Sequence, residues 1–241
     1  MKILVLSHDF PSPSFSDTLP IFYLIKYLSS LYRHEITLIS FISEDARYSS
    51  ELGHFCLVEP PIRTCRHKSI YAKAFQTAKN MVDIRNLLSK VRKGGLYVNL
   101  LDYYYSYQME EKIRNILERE KFDVLYSTRP MANYAQNMGI PKIIQPYDAV
   151  YDWHRQVYSA AKGLKKLIYY ISYRMTKMYE RKIYQKFDAC LVVTQQDNDL
   201  LTSLCPQINC ITIPNGVDIQ YFTPMSVDEE FPSLVFVSRM N

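Results

Sequence analysis

The sequence predicts a doubly wound α/β domain built on a parallel sheet. Two observations carry this: a short strand–helix–strand opening, and repeated returns from a helix into an apolar strand, an alternation that argues against a helical bundle or a sandwich. Parallel strands need a crossover between them, and helices of the observed lengths supply it.

The first strand is KILVL at 2–6, a continuous apolar run bounded by polar residues. From Thr18 to Arg33, Ile21, Leu24, Ile25, Leu28 and Leu31 recur at helical spacing. Thr18 is placed as the N-cap and Pro20 in the first turn, where its missing N–H costs little. EITLISF at 35–41 follows within a few residues, so the opening reads as a βαβ unit. CLVEPPI at 56–62 predicts a strand stopped by Pro60 and Pro61, and 70–93 a basic helix. MEEKIRNILERE at 109–120 puts Met109, Ile113, Ile116 and Leu117 on one face and leads into FDVLYST at 122–128. IPKIIQPYD at 140–148 supplies another strand, and FDACLVVT at 187–194 another after a long helix. From 208, INCITIPNGVDIQYFTP predicts a strand running into a Pro-Asn-Gly turn, and LVFVSRMN ends the chain as the start of one more strand.

Composition narrows the function. With 48% hydrophobic and 22% charged residues the 241-residue chain is ordinary globular material, but it holds 21 tyrosines against 6 glycines. No P-loop, HExxH, GxSxG, EF-hand or GxGxxG pattern is present, which argues against an NTPase, zinc protease, α/β-hydrolase or standard dinucleotide enzyme. The net charge of +5 is modest and no nucleic-acid module accompanies it, so no nucleic-acid partner is expected. Five cysteines without a C-x-x-C pair argue against a zinc site or disulfide framework and favour a reducing compartment. No signal-peptide pattern or membrane-spanning run is seen, so the expected location is cytoplasmic, with peripheral contact at the inner membrane face left open.

Taken as a set, LVLSHDFPSPSFSDTLPIFYLIKYLSSLYRHEITLISF, YERKIYQKFDACLVVTQQDNDLL and IPNGVDIQYFTP resemble the GT-B, family-4 type of retaining glycosyltransferase, in its exopolysaccharide and surface-glycan branch. The resemblance implies two Rossmann-like domains facing each other across a cleft. Residues 1–225 correspond to the acceptor-side domain, and 226–241 to a linker and the first strand of a nucleotide-sugar-binding domain that is otherwise missing. It further implies hexose transfer from a nucleotide-sugar donor to a lipid-linked or saccharide acceptor, with no cofactor and no metal. The alternative is a non-catalytic acceptor- or membrane-binding module, and in either case this piece alone is expected to be inactive.

The candidate residues follow from strand ends, where open α/β sheets bind ligands. Where the resembled enzymes carry glycines in the first loop, this chain has Ser16 and Asp17. A hydroxyl of Ser14, Ser16 or Thr18 at the helix N-terminus is then the expected anion ligand, with helix capping by Ser16, Asp17 and Thr18 as the alternative. By the resemblance, Asp148 takes the position facing the transferring sugar, where a carboxylate stabilises an oxocarbenium ion or accepts a proton; a turn or cap role is the alternative. His8, Arg129, Tyr147, Trp153, His154 and Arg155 form the expected acceptor side, each also open to a packing or solvated role. Between Lys162 and Lys186 eight basic residues face one acid, Glu180. Leu164, Ile168, Ile171, Met175 and Met178 are the expected buried stripe, leaving Lys166, Tyr170, Tyr173, Arg174, Lys177 and Arg181 toward solvent or an anionic membrane.

Overall fold

The computed structural model describes residues 1–14, 16–43, 50–64, 106–219, 222–224 and 234. The helix expected over 70–93, nearly all of the linker and strand expected over 226–241, and Cys65 lie outside them. In chain order the elements are β1 (Lys2–Ser7), α1 (Leu19–Ser30), β2 (Glu35–Ser43), β3 (Leu57–Val58), β4 (Ile62–Thr64), α2 (Tyr107–Arg119) and β5 (Val124–Thr128). There follow α3 (Ala132–Ala135), β6 (Lys142–Tyr147), α4 (Val150–Ala160), α5 (Gly163–Tyr184), β7 (Ala189–Val192), α6 (Gln195–Leu204) and β8 (Cys210–Thr212).

The strands form one sheet in the order β3-β2-β1-β5-β6-β7-β8, and every described pairing is parallel. β4 also pairs with β2, so β3 and β4 are two pieces of one edge strand. Pro60 and Pro61 interrupt that strand but do not end it, which corrects the expected stop. Prolines lack the ladder N–H, and an edge position is where a sheet tolerates that loss.

Strict alternation along the strands divides the core into two. Ile3 and Val5 of β1 pack with Ile36 and Leu38 of β2 and with Ile21, Phe22 and Ile25 of α1 on one face. Leu4 and Leu6 pack with Ile39, Phe41 and Leu125, and with Met109, Ile113 and Ile116 of α2, on the other. α5 and α6 cover the same second face through Tyr179, Ile183, Tyr184 and Leu201. Helices on both faces make the sheet doubly wound, as predicted, and sheets buried on both sides need the continuous apolar strands seen in the sequence.

The order of the strands locates a ligand crevice. From β1 the chain moves outward through β2 to the β3/β4 edge, then returns to β5 on the opposite side of β1. The β1/β5 boundary is therefore the topological switch point, where loops from adjacent strands diverge and leave an opening above the carboxyl ends.

α5 is turned relative to the sequence expectation. Thr176, Tyr179, Glu180, Ile183 and Tyr184 are its buried residues, whereas Ile168, Ile171 and Met178 of the expected stripe are exposed. The side chain of Leu164 is not among those described. Of the residues expected to face outward, Tyr173 and Lys177 are half-buried against α4, whereas Lys166 and Tyr170 touch α4 but stay exposed: Tyr158 lies 5.2 Å from Tyr170 and 6.3 Å from Tyr173. Lys166 Nζ sits over the Tyr158 ring and Lys177 Nζ over Tyr151. The physical reason is the tight α4–α5 turn at Ala161–Gly163, with Gly163 at φ 58°, which folds a tyrosine-rich face of α5 onto α4.

Candidate functional site

The switch point is built from the last residues of β1 and β5. The backbone N–H of His8 donates to Thr128 Oγ1 (3.1 Å), and His8 Nδ1 lies 3.2 Å from the same oxygen. His8 and Thr128 are both buried, and His8 Nε2 is 3.8 Å from the Asp9 carboxylate. Ser7 Oγ donates to the Asp9 carbonyl (2.6 Å), fixing the turn out of β1. His8 is thus held by its neighbours at the floor of the crevice.

The loop from Ser7 to Asp17 does not cap α1 in the expected way. Thr18 occupies the N-cap position, but its φ of −115° and ψ of −3° are not the extended geometry of a capping residue, and no side chain caps α1. Thr18 Oγ1 instead accepts from the Ser12 N–H (3.3 Å). Ser16 Oγ donates to the Asp17 carboxylate (3.2 Å), and the Ser14 N–H donates to Ser12 Oγ (3.2 Å). Ser14, Ser16 and Asp17 are exposed, whereas Thr18 is buried beneath them.

Arg129, which opens the turn after β5, points toward α5. Its Nε is 3.6 Å from Glu180 Oε1, and its guanidinium lies over the Tyr179 ring at 5.6 Å. Glu180 is fully buried, and its other oxygen accepts from the Tyr151 N–H at 3.4 Å. Burial pushes the Glu180 carboxyl up to about 7, against the opposing pull of Arg129 and the surrounding donors. Burial also works against the Arg129 charge, but Tyr184 and Glu180 outweigh it and keep the guanidinium protonated. Arg129 is therefore the tie between β5 and α5, not the solvated loop arginine of the alternative reading.

On β6 the backbone itself is unusual. Tyr147 has φ 71°, a left-handed conformation that costs a bulky residue on the order of 1–3 kcal/mol and persists only where surrounding structure enforces it. The β6–β7 register shifts between Ile144 and Tyr147, which re-aims the strand end. The Tyr147 side chain packs against the α1-side core, and its hydroxyl is buried without a hydrogen-bond partner among the described residues. Burial raises its pKa, with Asp17 adding to the effect, so the phenol lies near the first-strand loop.

Asp148 follows immediately and is exposed. Burial of part of the group, then the Asp197 carboxylate, hold Asp148 above the usual carboxylate range. Asp197 is itself fixed: its Oδ1 accepts from the Ala149 N–H (2.8 Å), and Thr194, the N-cap of α6, donates to Oδ2 and accepts from the Asp197 N–H (3.1 Å). Asp148 therefore does not cap α4; Ala149 holds that position.

On α4 the expected acceptor-side residues divide. His154 lies near Arg129, its pKa lowered by burial and then by that charge, and its Nδ1 is buried without a partner among the described residues. Trp153 is 59% exposed, with its ring 4.8 Å from that of His154. Arg155 is committed to Asp152, donating from Nε and Nη2 at 2.7 Å each, so it forms part of the α4 surface and not a free cation. The sequence reading missed Thr128, Glu180 and Asp197. The lone acid in a basic helix and the Thr194-x-x-Asp197 spacing were the available signals for the latter two.

The arrangement thus gathers His8, Thr128, Arg129, Tyr147, Asp148 and Asp197 at or just beyond the carboxyl ends of β1, β5, β6 and β7. Among the described residues no three His, Cys, Asp or Glu side chains gather as a metal site, and no helix is long and apolar enough to cross a membrane. The glycosyltransferase family 4 model matches residues 21–221. No curated protein matches the chain. Among solved structures, UGT2 of Phytolacca americana, complexed with UDP-2fluoro-glucose and pterostilbene, is 11% identical over 89% of this chain and 54% of its own, with TM-score 0.49. The glycotransferase of kitacinnamycin is 13% identical over 90% and 52%, with TM-score 0.47. A UGT transferase of Siraitia grosvenorii with UDP is 9% identical over 88% and 50%, with TM-score 0.44. The chain spans about half the length of these structures.

Proposed function

The chain belongs to glycosyltransferase family 4, and on that footing we propose that it forms the acceptor-side Rossmann-like domain of a sugar transferase. The reaction is transfer of a hexose, with retention at the anomeric carbon, from a nucleotide-sugar to a lipid-linked or saccharide acceptor in surface-glycan assembly. Residues 1–225 make this domain, and 226–241 lead into a donor-binding domain. The observation that carries the reading is the Asp148 carboxylate at the strand end beside Tyr147, on the same sheet edge as the His8–Thr128 switch point.

In transfer, the bond from the anomeric carbon to the diphosphate breaks with its electron pair leaving on the phosphate oxygen. The acceptor hydroxyl forms the new glycosidic bond on the same face of the ring from which the diphosphate leaves, as retention requires, and gives up its proton. Asp148, whose burial and neighbouring carboxylate make it a stronger base than a solvated aspartate, accepts that proton and offsets positive charge developing on the sugar ring. Trp153 offers an exposed face for the acceptor sugar, and the loop bearing Ser14, Ser16, Asp17 and Thr18 borders the donor diphosphate, while Tyr147, packed into the core, positions the strand end. The negative charge of Asp17 favours a contact through the serine hydroxyls.

The test is incubation of the full-length protein with a panel of nucleotide-sugars, following nucleoside diphosphate release and product mass. Transfer or slow donor hydrolysis that falls at least about a hundredfold in Asp148→Asn supports the reading. Absence of both activities across the panel, with acceptor binding retained, would leave the non-catalytic binding module as the better account.

A further inference from the structure

We propose that Glu180, reaching from α5, is a positioning residue of the crevice: its carboxylate holds the N-terminus of α4 and so fixes where Asp148 stands. The inference rests on the sugar-transfer reading for the role of Asp148, but not for the contacts themselves. It begins with the start of α4. A helix opens with backbone N–H groups that have no partner within it, and a Ser, Thr, Asp or Asn at the N-cap ordinarily takes one of them. Ala149 occupies the N-cap of α4 and has no side chain that can do so.

Those N–H groups are taken instead by two carboxylates from other helices. Asp197 Oδ1 of α6 accepts from the Ala149 N–H at 2.8 Å. Glu180 Oε2 accepts from the Tyr151 N–H at 3.4 Å, and the Val150 N–H acts on the same carboxylate. Glu180 Oε1 lies 3.6 Å from Arg129 Nε, at the turn after β5. One fully buried side chain of α5 thus joins the turn that follows β5 to the helix that follows β6. A carboxylate in that setting is costly unless its oxygens are partnered, and these partners are groups that shape the crevice.

The consequence falls on Asp148. A carboxylate beside a helix N-terminus is drawn to its free N–H groups and to the positive end of its dipole. With Glu180 and Asp197 already on those groups, the Asp148 side chain stays exposed. It stands between the left-handed Tyr147 backbone, at φ 71°, and the anchored first turn of α4. Strain of that kind persists only where the surroundings enforce it, and the anchored turn does so on the C-terminal side.

Hydrogen exchange in the 241-residue chain tests the contacts. In Glu180→Ala the Val150 and Tyr151 amides are expected to exchange about tenfold or more faster than in the parent, having lost hydrogen bonds to a charged group. Glu180→Gln keeps a carbonyl oxygen for them and is expected to stay within about threefold of the parent. Ile183→Ala, a cavity one turn along the same buried side of α5, is expected to leave the two amides at the parent's rate relative to those of β1. Circular dichroism checks folding. Because Glu180→Ala leaves Arg129 unpaired, Arg129→Met/Glu180→Met carries the exchange measurement if the single variant unfolds. Unchanged exchange on loss of Glu180, or an equal rise in Ile183→Ala, overturns the proposal. In the full-length protein, Glu180→Ala is expected to lower kcat for transfer about tenfold or more with donor and acceptor KM within about threefold, and Glu180→Gln to recover it. A parent that transfers no sugar refutes the sugar-transfer reading and leaves exchange to judge the anchor, whereas a parent-like kcat in Glu180→Ala overturns the positioning of Asp148.

Discussion

The imidazole of His8 and the hydroxyl of Thr128 meet at 3.2 Å across the β1/β5 boundary, although 120 residues separate them in the chain. Thr128 Oγ1 also accepts the His8 backbone N–H, so one hydroxyl fixes both the backbone and the ring of the switch-point histidine. Thr128→Val preserves shape and removes that hydroxyl. It is expected to lower stability by about 1–2 kcal/mol, the cost of leaving buried polar groups less well partnered. Urea denaturation of the two proteins measures it, and a change within error would show that the contact carries no stability.

Arg129 and Glu180 make a pH-dependent tie. A carboxyl raised to about 7 in the folded state, against 4.5 as its ordinary value, holds its proton more tightly when folded. Its contribution is fully present below the unfolded value and is lost as pH rises toward 7. Arg129 lowers the Glu180 value, so its removal raises that value further and extends the loss to higher pH. Arg129→Ala is therefore expected to be less stable than the parent by a margin that widens between pH 6 and pH 8.5, on the order of 3 kcal/mol at the upper end. Thermal melts across that range, with the two curves running parallel, would contradict the pairing.

Asp148 and Asp197 are coupled through charge. Because the Asp197 carboxylate helps to raise Asp148, Asp197→Asn is expected to lower the Asp148 pKa. If Asp148 acts as a base, the acid limb of the transfer rate in the full-length enzyme then moves to lower pH. A pH–rate profile for both proteins reads the shift directly, and an upward shift would assign the limb to another group.

Tyr147 carries a buried hydroxyl without a hydrogen-bond partner among the described residues. Removing an unsatisfied buried polar atom relieves its desolvation cost, so Tyr147→Phe is expected to be neutral to about 1 kcal/mol more stable. The same substitution leaves the strained backbone at φ 71° in place. Denaturant melts of the two proteins measure the change, and a clear loss of stability would reveal an internal partner.

Much of this architecture was written in local pattern. KILVL, EITLISF and FDVLYST could be read as buried parallel strands because burial on both faces demands unbroken apolar runs. MEEKIRNILERE gave the correct inner face of α2 because its one apolar stripe has charged residues opposite. α5 defeated the same reading because it has two faces able to pack, one aliphatic and one of tyrosines. Thr18 misled in a different way: its identity suits a cap, but its hydroxyl is drawn to Ser12 by the loop.

The sequence by itself determined the βαβ alternation and the position of His8, Arg129, Tyr147 and Asp148 at strand ends, since these follow from residue order and periodicity, and its quoted segments carry the resemblance to the family. Only the tertiary structure decided that Arg129 pairs with Glu180, that Asp197 stands beside Asp148, and that α5 turns its aliphatic ridge outward. Those outcomes depend on which surfaces meet across dozens of residues, and competition between two packable helix faces is settled by the neighbouring helix, not by the helix's own sequence.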